Sequence, residues 1–154
     1  MDSTLTRRFN KAWKRFLFSK ANLALLDGYG WNDGGCWILA EAVRIWAGSE
    51  TGMELMGLWT EPVKRGHRPI LQHLFVSISS SGMCLDGDGL LSTGEMLTFK
   101  TEVESISGKP YLQPISDLAV IGTYFIERDQ VASQEMAMRL QKRFGAFDKL
   151  AAFR

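Results

Sequence analysis

The stretch Gly34-Gly35-Cys36-Trp37-Ile38-Leu39-Ala40-Glu41-Ala42 joins a glycine-rich turn to an apolar helical run through a cysteine. No other segment constrains the chain as tightly. Paired glycines allow a sharp turn with backbone room for a close neighbour, and the residue after them starts the helix. The first N–H groups of a helix have no partner inside it, and its dipole is positive there. Such a position favours the thiolate, which is the nucleophilic form of cysteine. A structural cysteine behaves as a small buried apolar residue and needs neither glycine. Cys36 therefore reads as a nucleophile. Cys84, between Met83 and Leu85 in a strand-like run, has none of these features and reads as core.

A thiol nucleophile needs a base, and the chain has two histidines. His67 lies in the basic loop Pro62-Val63-Lys64-Arg65-Gly66-His67-Arg68-Pro69, where a ring is hard to hold in place. His73 opens the run Leu74-Phe75-Val76-Ser77-Ile78, and a strand holds a ring rigidly. One ring nitrogen would face the thiol, so the other needs an orienting acceptor. Asp86 follows thirteen residues later, across a turn at Ser80-Ser81-Gly82 that brings both residues to one end of a hairpin. Asp88 is the alternative orienter, because a single bulge changes which carboxylate faces the ring. Asp-Gly-Asp-Gly also suits a turn with no chemistry at all. Acyl transfer further requires donors for an oxyanion. The Cys36 N–H is the first, and Asn32, four residues earlier, is the side-chain candidate; Gly35 and Trp37 complete the expected substrate-binding surround.

The pattern around these residues is mixed. A helix is expected from about Ser3 to Leu26, with Phe9, Trp13, Phe16 and Leu17 inward and Arg7, Arg8, Lys11, Lys14 and Arg15 on the other faces. A second runs from Cys36 to about Trp46, with Trp37, Ala40, Val43 and Ile45 turned inward. Strands are expected over Met53–Thr60, Ile70–Ser79, Met83–Leu85 and Leu118–Ile126. Ser92-Thr93-Gly94-Glu95 is a capping box, which predicts a helix from Thr93 to about Glu104. A last helix spans Glu127 to Phe144 and carries Val131, Met136, Leu140 and Phe144. With no repeat and no long linker, residues 1–154 read as a single α+β domain.

Several classes are disfavoured. Hydrophobic residues at 45% and charged ones at 23% argue against disorder. A net charge of +1 gives no broad pull toward nucleic acid or a membrane surface. The start Met1-Asp2-Ser3-Thr4 lacks a secretory pattern, and two cysteines in unlike settings suit reduced thiols, so a cytoplasmic protein is expected. Gly28-Tyr29-Gly30 is not a dinucleotide fingerprint, since Asp33 stands where the third glycine belongs. Asp86-Gly87-Asp88 is not a calcium loop, since Leu91 and Leu97 replace the glycine and the glutamate. Cys36, His67, His73 and Cys84 lack compact zinc spacing. Neither a metal nor another cofactor is expected.

The order cysteine at a helix start, then histidine, then carboxylate resembles the papain-like cysteine hydrolase superfamily. The Cys36-Trp37 pair running into a helix is the best-matched part, and the likeness spans Trp31 to Gly89. In length the chain is similar to compact bacterial or phage-encoded members. The resemblance implies a helical lobe carrying the nucleophile helix, packed on a small antiparallel sheet. It implies Cys36 as nucleophile, His73 as general base and acid, and Asp86 as orienter. It also implies a peptide or protein substrate, cleaved or deamidated at an amide. The family's glutamine six residues before its cysteine corresponds to Gly30, so the second oxyanion donor falls to Asn32 or a loop amide. The alternative is a non-catalytic protein-binding or inhibitor module on the same fold. Oligomeric state is not legible from the sequence.

Overall fold

A computed structural model describes residues 3–48, 52–62, 64, 66–79, 81–103, 106, 108–116 and 127–147. In chain order the elements are α1 (Ser3–Leu17), α2 (Lys20–Leu23), a 3-10 turn (Ala24–Leu26) and α3 (Cys36–Ala47). They continue with β1 (Met53–Thr60), β2 (Ile70–Ile78), β3 (Met83–Asp86), β4 (Gly89–Ser92) and α4 (Thr93–Thr98). A π-helical turn (Phe99–Val103), β5 (Pro110–Pro114) and α5 (Glu127–Phe144) complete the series. Among the described residues the strands form one antiparallel sheet in the order β4-β3-β2-β1-β5. Helices and an antiparallel sheet together make the fold α+β. The expected strand over Leu118–Ile126 lies outside the described residues.

The larger core joins one sheet face to α1, α3 and α5. Phe9, Trp13 and Leu17 recur every four residues, which puts them on one stripe of α1. Trp13 packs with Trp46 of α3 and Phe144 of α5 at centroid separations of 6.4 and 5.6 Å. Two of the buried indole N–H groups here are satisfied by backbone: Trp31 donates to Leu17 O (2.7 Å) and Trp46 to Gly145 O (2.8 Å). On the sheet, Leu55, Leu74, Val76, Met83 and Leu85 point into this core. Alternation sends Leu58, Phe75 and Cys84 to the other face, where Met96 of α4 covers them. Cys84 is thus a core residue, and burial pushes its thiol up to about 12.

Four local expectations need correction. The first helix does not reach Leu26. It stops at Leu17, and a short second helix restarts after Ser19, with Asn22 Nδ2 donating to Phe16 O across the break (2.8 Å). Ile45 and Val131 are exposed at 39% and 61%. The buried stripes run through Leu39, Val43 and Trp46 on α3 and through Ala132, Met136 and Leu140 on α5. One residue off a stripe is a rotation of about 100°, enough to face solvent. The capping box at Ser92 and Glu95 forms as read, but the α-helix gives way to the π turn at Phe99. β4 and β5 were too short to be legible as alternating runs.

Two features fix the end of the sheet where the site lies. Opposite Leu58 and Trp59 of β1, the partners on β2 are His73 and Leu71, so Gln72 is an extra residue in a β-bulge. At the β4 edge, Asn10 of α1 bonds both backbone groups of Leu90, Nδ2 donating to the carbonyl (2.9 Å) and Oδ1 accepting the N–H (2.8 Å).

Candidate active site

The turn before α3 is held by its own backbone. Gly30 and Asp33 exchange N–H···O bonds at 3.1 Å, and the Gly35 N–H donates to Gly30 O at 2.9 Å. Gly34 has φ +83°, a conformation glycine adopts without strain, and Tyr29 lies against it. A Cβ on Gly35 would come within 2.6 Å of Gly30 O and 2.9 Å of Leu26. Both glycines are therefore needed, and Cys36 emerges as the first residue of α3, 6% exposed. The Gly35 N–H is spent on the turn, which removes it as an oxyanion donor. Gly35→Ala is expected to displace the start of α3, costing about 1–3 kcal/mol of stability. An error of about 1 Å in the thiol costs about 100-fold in rate. Urea denaturation and the rate of Cys36 alkylation measure the two effects.

His73 and Asp86 meet on the sheet face opposite the larger core. His73 adjoins the Gln72 bulge, a distortion that re-aims side chains. Its Nε2 lies 3.0 Å from Asp86 Oδ2, and both side chains are 1% exposed. Asp86 ends β3. Its Oδ1 accepts the Asp88 N–H (2.8 Å), and its carbonyl accepts the Trp13 indole N–H (2.7 Å). Each carboxylate oxygen is therefore held by a partner, and the backbone that carries it is anchored as well. With Nε2 taken, Nδ1 is the ring nitrogen left for Cys36. Nδ1 has no partner at strict hydrogen-bond geometry, yet the Cys36 thiol is near enough to act on the ring by hydrogen bonding and by charge.

Burial alone would push the imidazole down. The bond to Asp86 and the neighbouring Cys36 outweigh it, and His73 stands at about 9, raised from 6.5. Burial likewise pushes Asp86 up, but the bond to His73, the charges of His73 and Lys100 and the Asp88 N–H hold it below its ordinary value. At neutral pH the pair is an imidazolium and a carboxylate.

Asp88 does not face the ring. Its Oδ1 is 3.0 Å from Lys14 Nζ, and its Oδ2 accepts from Asn32 Nδ2 (2.9 Å) and lies 4.0 Å from Lys100 Nζ. Asn32 thus spends one N–H on Asp88, and its Nδ2 carries a second. Its Oδ1 is buried beside Gly87, where any side chain would collide with it. Trp37 is half-buried next to Cys36 in the chain, and His67 is exposed in its loop.

Lys100 is the residue that sequence reading missed. It is fully buried, sits in the π turn, and its charge acts on His73, Asp86 and Cys84. Met96, Lys100 and Val103 recur at helical spacing, so a lysine on an otherwise apolar stripe was the available signal. π turns are frequent at functional sites. Among the described residues no cluster of His, Cys, Asp and Glu could hold a metal ion, and no helix is long and apolar enough to cross a membrane. No protein-family model, curated protein or solved structure matches the chain.

Proposed function

We propose that the protein is a thiol-dependent hydrolase, a cysteine protease, amidase or deamidase, acting on an amide of a peptide or protein. The observation that carries this reading is the convergence of three residues distant in sequence. A buried His73–Asp86 pair lies close enough to a cysteine at a helix start for the two to interact. The papain-like architecture belongs to the same proposal. It is supported by the cysteine on a helix, the histidine and carboxylate on an antiparallel sheet, and their order along the chain.

In the reaction the Cys36 sulfur attacks the amide carbon and the carbonyl oxygen becomes an oxyanion. The Cys36 N–H at the first turn of α3 and the second N–H of Asn32 are the donors at hand. The Nδ1 proton of His73 passes to the leaving nitrogen, the C–N bond breaks, and a thioester remains. His73 then accepts a proton from water, whose oxygen attacks the thioester. The thiolate is expelled, the acid leaves and loses its proton to solvent, and the starting pair of Cys36 thiolate and protonated His73 is restored. Asp86 holds the ring in orientation throughout.

Alkylation by iodoacetamide tests the reading. Cys36 should label much faster than a free thiol at pH 6, and His73→Ala should remove the advantage. Because His73 keeps its proton until about 9, the alkaline limb of the rate profile should fall near that value. Asp86 raises His73, so Asp86→Asn should move the limb to lower pH while leaving part of the activity. Burial of Cys36 favours the second reading, a binding module without turnover. Slow labelling of Cys36, rising only in the range of an ordinary thiol, selects that one.

A further inference from the structure

A cleft of about 460 Å³ lies between α1 and the β4–α4 segment, outside the cysteine–histidine–aspartate set. Three cations of α1 line it: Arg7, Lys11 and Lys14, at helical positions i, i+4 and i+7. Leu91 and Phe99 supply apolar surface, and Phe99 is 37% exposed. We propose that this cleft docks an acidic peptide segment that carries an apolar side chain.

Charge accounting supports that occupant. Glu95 also lines the cleft, but its Oε2 accepts the Ser92 N–H (2.8 Å) and hydroxyl (2.6 Å), which turns it onto the start of α4. Asp88 is committed to Lys14 and Asn32. Arg7 and Lys11 form no ion pair among the described residues. Two cations thus stand beside an apolar patch, a pattern that matches a glutamate or aspartate flanking a leucine or phenylalanine. A nucleic-acid strand fits less well. The protein has 18 basic and 17 acidic residues, so the cations of the cleft are not part of a broad positive surface that would track a polyphosphate.

The cleft also touches the catalytic framework. Asp88 forms part of its wall, gives its N–H to Asp86 and accepts from Asn32 in the loop before Cys36. A segment docked there would be held beside the elements that place the thiol, as an extended substrate would be. The docking inference does not use Cys36, so its failure and that of the hydrolase reading are separable.

Fluorescence anisotropy on Cys36→Ala protein, which removes turnover, provides the test. The probe is a dye-labelled peptide Glu-Glu-Leu-Glu-Glu, compared with its lysine counterpart and with a short single-stranded DNA. The acidic peptide should bind, more weakly as salt rises, and the lysine peptide should not. Arg7→Glu with Lys11→Glu should weaken binding at least about tenfold, and Phe99→Ala should weaken it several-fold. Arg8→Glu with Arg15→Glu, on other faces of the same helix, should leave affinity within about twofold. Circular dichroism confirms that each variant folds. Unchanged affinity in the Arg7/Lys11 variant, equal loss in the Arg8/Arg15 control, or tighter binding of the DNA would each overturn the proposal.

Discussion

Cys36→Ala is expected to abolish amide hydrolysis, by roughly four orders of magnitude or more, in a protein that remains folded. Nucleophile and base act as a unit, so removing the sulfur leaves only substrate binding and the oxyanion donors. The structural cost is small. Losing one sulfur atom from a buried site is a minor cavity, about 1 kcal/mol, and alanine is the best helix former. The substitution also isolates Cys84, whose thiol burial pushes up to about 12. The variant should therefore be almost inert to iodoacetamide at pH 7. Release of ammonia or amine from a peptide-amide mixture, followed by mass spectrometry, reports turnover. Full activity in Cys36→Ala would exclude thiol catalysis.

His73→Ala is expected to cost both activity and fold stability. It leaves the Asp86 carboxylate buried without its imidazole, and breaking a buried pair in this way costs about 3–5 kcal/mol. The pH dependence follows from the sign of each shift. His73 binds its proton more tightly in the folded chain, so its contribution is full below 6.5 and is lost as pH rises through about 9. Asp86 runs the other way, since its folded value lies below 3.8. Its contribution is present above 3.8 and is lost as pH falls through the folded value. The pair therefore stabilises most between those ordinary values and declines from neutral pH toward 9. Urea denaturation at pH 6 and pH 9 should show wild type losing stability over that interval. His73→Gln, which can still donate to Asp86, should show no such loss. Equal slopes in the two proteins would remove His73 as the titrating group.

What was legible in the sequence was the chemistry-bearing residues on well-marked elements. Cys36 announces itself through Gly34, Gly35 and the apolar helix that follows, and the collision awaiting any side chain at Gly35 shows why the glycine is there. His73 and Asp86 were readable because a hairpin of known turn residues links them. The choice of Asp86 over Asp88 rested on Asp86 following the strand directly, and it is the Asp86 carboxylate that meets the His73 ring. Less was legible where tertiary context overrides local pattern. The Gln72 bulge has no composition signal of its own. Lys100 reads as solvated because lysine usually is, and only the surrounding stripe hints otherwise. Gly35 was placed among the substrate-binding groups because a chain pattern cannot show that its N–H closes the turn. Ile45 and Val131 were assigned inward by hydrophobicity, although the buried stripes pass beside them.

The grip of Asn10 on Leu90 has a consequence for how this protein behaves at high concentration. An unguarded strand at the margin of a sheet invites a strand from another molecule, the first step of edge-to-edge aggregation. Here a carboxamide from a helix occupies the donor and the acceptor of the central edge residue, much as a neighbouring strand would. Gly89, with φ +111°, leaves room for that carboxamide, since a Cβ there would strike it. The same contact that ties α1 to the sheet therefore serves as a stopper against strand addition. Helix packing and colloidal behaviour are joined at one asparagine.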